Sequence, residues 1–330
     1  MFPADFGYAR ADSLEHALSL LAESAAAGEE AKLLAGGQSL LPLMKLRLAT
    51  PQTLIDIGGL TELSGVASDA RTTTIGALTT YRALQHNPQI AAGFPAMTDA
   101  LAVLADQQVR ARGTIGGCVA HGDPAADLPA VLLALDAEVL ITATSDTRTT
   151  PLDDFLQGIF ATDLAADEIV TAITLPAVPP AAGAGGAGGT GGARGSAYEK
   201  FEQPASHLPL AGVCAVVTIE DEVITSARVA VTGVASRPFR ARHAERSLVS
   251  APPAPSSLDA AAALVAEGVR PLSDQHASGP FRLHLTQVLA GRALRRAAGR
   301  AARAGRAAGA GGAGGAGRAD GPDGAAGARR

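Results

Sequence analysis

The chain of 330 residues has no tryptophan, only 3% aromatic residues and just two cysteines, Cys118 and Cys214. Two thiols far apart in sequence provide neither a disulfide framework nor the clustered thiolates of a zinc or iron–sulfur site, and they point to a reducing compartment. No uninterrupted apolar run reaches the ~20 residues that cross a bilayer. Met1-Phe2-Pro3-Ala4-Asp5 lacks the charged-then-apolar order of a signal peptide. The expectation is a cytoplasmic protein without a membrane span. GxSxG, HExxH and P-loop lysine motifs are also missing, which removes the commonest hydrolase and phosphotransferase chemistries.

What is present is aliphatic. Hydrophobic residues make up 47% of the chain, so packing rests on Leu, Val, Ile and Ala, in two or three lobes of helices and strands. The net charge is −5, although Arg292, Arg295, Arg296, Arg300, Arg303 and Arg306 crowd near the C-terminus. The remaining body is therefore more acidic than the total, and no nucleic-acid footprint is expected. The arginines read as a solvated helix face running into disorder.

Asp12 or Ser13 can cap a helix whose Leu14, Ala17, Leu18 and Leu21 form one apolar face. A strand at 32–34 leads into the glycine loop Ala35-Gly36-Gly37-Gln38-Ser39, then a partly helical 40–48 and a strand at 53–57. These form a small α/β lobe over about residues 1–60. The second lobe, 61–178, has a strand at 72–75 and helices at 80–86 and 95–105. A second glycine loop, Thr114-Ile115-Gly116-Gly117-Cys118, then precedes a helix at 127–135 and strands at 138–142 and 168–175.

Residues 179–195 are proline, then nearly pure Gly and Ala, and read as a flexible insertion. Strands at 196–200, 210–219 and 223–231, followed by helices at 240–249, 257–267 and 279–298, define a domain over 196–298. The Gly, Ala and Arg stretch 299–330 reads as a disordered basic tail.

A dinucleotide carries a doubly charged pyrophosphate, so its site needs several backbone N–H donors at close range and residues without a Cβ where the chain approaches it. Gly36-Gly37 and Gly116-Gly117 supply such positions, each beside a small side chain, Ser39 or Cys118. Tight turns would use the same residues, so glycines alone leave both readings open. Two copies of GxGxxG, at Gly183, Gly185 and Gly188 and at Gly309, Gly311 and Gly314, sit in low-complexity runs and neither follows a strand nor opens a helix. His121, Asp123 and Asp127 form HxDxxxD but have no further ligand nearby, so no metal is expected. Asp127 either caps the helix that starts there or bonds a ribose hydroxyl.

At these residues the sequence resembles the FAD-binding medium subunits of molybdenum hydroxylases, the carbon monoxide and xanthine dehydrogenase group. The resemblance lies in LLAGGQSLLPLMKLRLATPQTLIDI (33–57), DQQVRARGTIGGCVAHGDPAADLPA (106–130) and AYEKF (197–201). It implies an α+β fold, with a two-lobed N-terminal PCMH-type FAD-binding domain and a C-terminal domain of a small antiparallel sheet with helices. It further implies FAD as cofactor, with Ala35, Gly36, Gly37, Gln38 and Ser39, and Thr114, Ile115, Gly116, Gly117 and Cys118, around the pyrophosphate. Asp127 would meet the ribitol or ribose, and Lys200 would lie near the isoalloxazine. Cys118 stands where many relatives carry asparagine.

By the same resemblance the chain is an electron-transfer subunit, an oxidoreductase component without catalytic residues or metal of its own. Its implied partners are a large molybdenum-cofactor subunit and a small subunit with two-iron clusters, together a heterohexamer. The residues alone also allow a free-standing flavin oxidoreductase or a non-redox module for another phosphorylated ligand.

Overall fold

The computed structural model describes residues 2–177 and 192–312. The first lobe begins with β1 (Gly7–Arg10) and α1 (Leu14–Ala26), whose cap is Ser13: its Oγ accepts from the His16 N–H at 3.1 Å. β2 (Ala31–Leu34), α2 (Leu40–Lys45) and β3 (Thr53–Asp56) follow, and the three strands form a parallel sheet in the order β1-β3-β2. Ala17, Leu18 and Leu21 of α1 bury against Ile55 and Ile57 beneath this sheet. The first glycine loop leaves the C-terminal end of β2, where a parallel strand delivers its connecting loop to the sheet edge.

The second lobe holds β4 (Val66–Ser68), β5 (Thr72–Gly76) and then six helices: α3 (Tyr81–Gln85), α4 (Pro88–Gly93), α5 (Pro95–Val103), α6 (Gln107–Arg112), α7 (Ile115–His121) and α8 (Asp127–Ala134). It continues through β6 (Glu138–Thr142), β7 (Thr147–Pro151), α9 (Leu152–Phe155), the small hairpin β8 (Leu156–Gly158) and β9 (Ala161–Thr162), and β10 (Ile169–Pro176). Its sheet is antiparallel in the order β4-β5-β10-β6-β7. α7 was not expected, because Gly116 and Gly117 read as a loop; Thr114 caps that helix instead, its Oγ1 accepting from the Gly117 N–H at 3.2 Å.

The C-terminal region is a four-stranded antiparallel sheet, β11 (Ala193–Glu202), β12 (Pro209–Glu220), β13 (Val223–Thr232) and β14 (Phe239–Arg240), followed by α10 (Arg242–Leu248), α11 (Pro255–Leu264) and α12 (Gly279–Gly312). Both faces of this sheet are covered, and the period of two sorts its residues. Ala197, Val213, Ala215, Val229 and Val231 face the C-terminal helices. Tyr198, Cys214, Val216 and Ala230 join the core of the second lobe. The sheet is thus one wall of the N-terminal domain as well as the centre of its own. The overall class is α+β, as expected.

Two boundaries differ from the sequence reading. Within the expected insertion, 193–195 belong to β11, while 179–191 lie outside the described residues. Within the expected disordered tail, α12 continues to Gly312, and only 313–330 lie outside. The reason is tertiary. Ala301 is fully buried, and Arg300 holds Asp99 of α5 through two bonds of 2.6 and 2.9 Å. Arg296 adds a third at 2.7 Å, and Asp99 also accepts from the Tyr198 N–H at 3.2 Å. A buried carboxylate with this many charge-assisted donors ties α5, β11 and α12 together.

Candidate flavin site

The two glycine segments abut. A Cβ on Gly36 would lie 2.0 Å from the carbonyl oxygen of Arg112 and 3.0 Å from the Gly113 Cα, so only glycine permits the approach. Gly37 has φ +73°, the left-handed region in which a side chain is strained. Ala35, Gly58, Leu78, Thr80, Arg112 and Thr114 border a small cleft of about 70 Å³ between the segments. That is room for a phosphate-sized group and not for a whole dinucleotide, which must run outward from it.

The segments divide the work unequally. The N–H groups of Gly36, Gly37, Gln38 and Ser39 make no hydrogen bond among the described residues, which leaves four consecutive donors for an anion. In the second segment the Ile115 N–H bonds the Thr79 carbonyl (3.1 Å), the Gly116 N–H bonds Ala77 (2.9 Å) and the Gly117 N–H is held by Thr114. Gly116 is there for packing, since a Cβ would meet the Cβ of Ala77 at 2.4 Å. Gly117, on the exposed side, offers a ligand a surface without side chain. A symmetric grip by two sets of amides does not form: the first loop keeps its donors free, and the second is docked on the β5 end and shapes the wall.

Cys118 belongs to this wall, its thiol against the hydroxyl of Tyr81. Burial pushes its thiol up to about 12, with the charges of Asp123 and Asp127 adding and the Tyr81 hydrogen bond opposing. It therefore stays a neutral thiol, a weak partner and no nucleophile. The HxDxxxD residues do not converge. The Asp123 Oδ1 accepts from the Ala125 N–H (2.8 Å), and His121 packs 5.0 Å from the Phe160 ring.

Asp127 is not a cap. Its carboxylate, 4% exposed, accepts from the Tyr198 hydroxyl at 2.8 Å and pairs with Lys200, whose Nζ is 3.2 Å from Oδ1. The Lys200 side chain is also only 4% exposed and donates to the His207 carbonyl at 2.8 Å, so it is a buried cation rather than a surface charge. Tyr198 escaped the sequence reading. The signal was there in AYEKF, because residues two apart on a strand share a face, which places Tyr198 beside Lys200.

Burial raises the Asp127 carboxyl from its ordinary 3.8 to about 6, against the lowering effects of Lys200 and Tyr198. Between those values the folded chain keeps a proton that the unfolded chain has released. Stability therefore falls as pH rises through that window, and the cost, about 3 kcal/mol, is complete above it. Asp127→Asn removes this term. In urea melts of the flavin-free chain, the variant should gain about 2 kcal/mol on the wild type between pH 4 and pH 7. A difference that stays constant with pH would refute the assignment.

Residues 4–178 match the family described as FAD binding domain in molybdopterin dehydrogenase, and 196–297 match the CO dehydrogenase flavoprotein C-terminal domain. The chain belongs to this flavoprotein family. Among its relatives is the carbon monoxide dehydrogenase medium chain of Afipia carboxidovorans, 36% identical over 91% of this chain and 99% of that one. Another is the glyceraldehyde dehydrogenase medium chain of Sulfolobus acidocaldarius, 33% identical over 90% and 100%. A solved carbon monoxide dehydrogenase from Hydrogenophaga pseudoflava superposes with a TM-score of 0.83 at 35% identity, covering 91% of this chain and 99% of that one. The flavoprotein is thus an FAD-binding oxidoreductase subunit of the molybdenum hydroxylase type, and both glycine segments, Asp127 and Tyr198 with Lys200 fall inside the matched regions.

Proposed function

We propose that this flavoprotein relays electrons within a larger enzyme. A small partner subunit with two-iron clusters passes them from a molybdenum centre on a large subunit to the FAD of this chain, and an external acceptor takes them away. Bound FAD supplies the step between one-electron and two-electron chemistry. The observation that carries the reading is the row of free amides at Gly36 to Ser39 set in one chain with the buried Asp127–Lys200 pair.

On this reading the residues divide among the parts of the cofactor. Ala35, Gly36, Gly37, Gln38 and Ser39 hold the pyrophosphate through main-chain donors, and Thr114, Ile115, Gly116, Gly117 and Cys118 form the wall beside it. Asp127 accepts from a ribitol or ribose hydroxyl, and Lys200 places a cation near the isoalloxazine, where it favours the anionic reduced ring. The partners assemble with it as a heterohexamer. Free thiols at Cys118 and Cys214 support a cytoplasmic setting.

Substrate choice lies outside this chain, a reading supported by relatives of nearly equal identity whose enzymes are named for carbon monoxide and for glyceraldehyde. The test is to load the purified chain with FAD and offer it NADH with a dye acceptor. No rapid turnover is expected alone, whereas coexpression with neighbouring genes should copurify iron and molybdenum. Rapid turnover by the isolated chain would sink the subunit reading in favour of a free-standing flavoenzyme.

A further inference from the structure

A second concavity, of about 480 Å³, lies in the C-terminal domain between the turn after β13, α10 and the end of α11. Its volume falls within the range of small-molecule sites. Its lining is basic: Arg237, Arg240, Arg242, Arg246 and Arg270 against one carboxylate, Glu267, which His243 meets at 3.2 Å. None of these residues belongs to the flavin site.

The arginines fall into two sets. Arg237 and Arg242 are both anchored on Asp153, at 3.1 and 3.0 Å, and Arg240 on Glu245 and Asp136, so these three form a fixed frame. Arg240 is 9% exposed and still has one guanidinium nitrogen, Nη2, without a partner. Arg246 and Arg270 are exposed and make no hydrogen bond or ion pair among the described residues. Arg242 and Arg246 stand one turn apart on α10, hence on one face. Two uncommitted guanidinium forks lining one concavity with a basic frame suit a doubly charged phosphate. The rest of the lining is apolar, with Phe239, half-buried, near Leu264, Val265 and Val269. A half-buried aromatic side chain and an aliphatic wall in the same concavity as the arginines suit a flat heterocycle carrying that phosphate.

We propose that this groove is a second ligand site, for a nucleoside phosphate, held at its phosphates by Arg246 and Arg270 and at its base by the Phe239 wall. The site is separate from the FAD, so its test uses the flavin-loaded chain, in which the first glycine loop is already engaged.

Calorimetric titration with ADP should give saturable, salt-sensitive binding at one site, and adenosine should bind much more weakly. In Arg246→Ala/Arg270→Ala, ADP affinity should drop about tenfold to a hundredfold, the loss of two charge-assisted contacts, with flavin content and melting temperature unchanged. Absence of saturable ADP binding, or binding indifferent to the double substitution, overturns the proposal. Equal affinity for inorganic phosphate overturns the nucleoside part. If ADP does not bind and Arg246→Glu/Arg270→Glu instead blocks assembly with partner subunits, the groove is a docking surface for an acidic protein.

Discussion

Gly36→Ala should leave the chain folded but nearly free of flavin. The added Cβ lies 2.0 Å from the Arg112 carbonyl oxygen and 2.8 Å from its carbon, both backbone atoms that cannot rotate away. Ordinary contact begins at 3.4 Å, so the loop must retreat by about 1.4 Å, the difference of the two distances. It carries the N–H groups of Gly36, Gly37, Gln38 and Ser39 with it. The hydrogen bonds proposed from these groups to the pyrophosphate would not survive such a shift, and a misplacement of about 1 Å commonly costs two orders of magnitude at a preorganised site. FAD affinity should fall at least about a hundredfold, near 3 kcal/mol. Flavin absorbance per chain after desalting reads the loss, and far-ultraviolet circular dichroism reads the fold. Gly28→Ala is the control: φ is +70° there with nothing within 4 Å, so it costs about 1 kcal/mol of local strain and no flavin. A Gly36→Ala chain that retains full flavin would show that the contact between the segments does not shape the cofactor site.

That prediction depends on a contact between residues 36 and 112, which marks where the sequence ceases to be legible. Local features read well. The apolar face of α1, the glycine loop after β2 and the apolar runs of β12 and β13 are written in neighbouring residues, and their elements fall within a few positions of expectation. Short, exposed pieces such as β1 are invisible because four residues with little burial carry no periodic signal. α7 was masked by its glycines, which are poor helix formers. They are tolerated because the Thr114 cap and the docking on Ala77 decide the conformation.

The largest revisions come from long-range pairing. Asp127 meets Tyr198 and Lys200 across more than seventy residues, so its local environment at a helix start suggested a cap that does not exist. Arg296 and Arg300, in an arginine cluster that reads as solvated, find Asp99 roughly two hundred residues away. Composition ends the helix at 298 and assigns Arg300 to a tail; the buried partner instead carries α12 on to Gly312, packed against β11. In both cases the charged residue that violates the local rule marks a junction between the domains.

Lys200→Met brings that junction and the flavin together in one measurement. The substitution keeps the length of the side chain but removes a buried cation that holds the Asp127 carboxylate at 3.2 Å and the His207 carbonyl at 2.8 Å. Asp127 then has the Tyr198 hydroxyl as its one remaining side-chain donor. With lysine in place burial already raises that carboxyl to about 6, and without it the carboxyl rises further. A raised carboxyl stabilises the fold less as pH increases, so the variant should resemble wild type near pH 5. Above pH 6 it should lose stability progressively, toward the 3–5 kcal/mol typical of an orphaned buried charge. At neutral pH the carboxyl takes up a proton, and the site loses a cation that would face the reduced flavin. The two-electron potential of bound FAD should drop by about 30 mV or more, equivalent to a tenfold preference for the oxidised form. Lys200→Arg, which keeps the charge, should recover most of the potential even where its fork fits the pocket poorly. A Lys200→Met protein that binds FAD with an unchanged potential would confine Lys200 to holding Asp127, whereas a drop rescued by arginine assigns it to the electrostatics of the flavin.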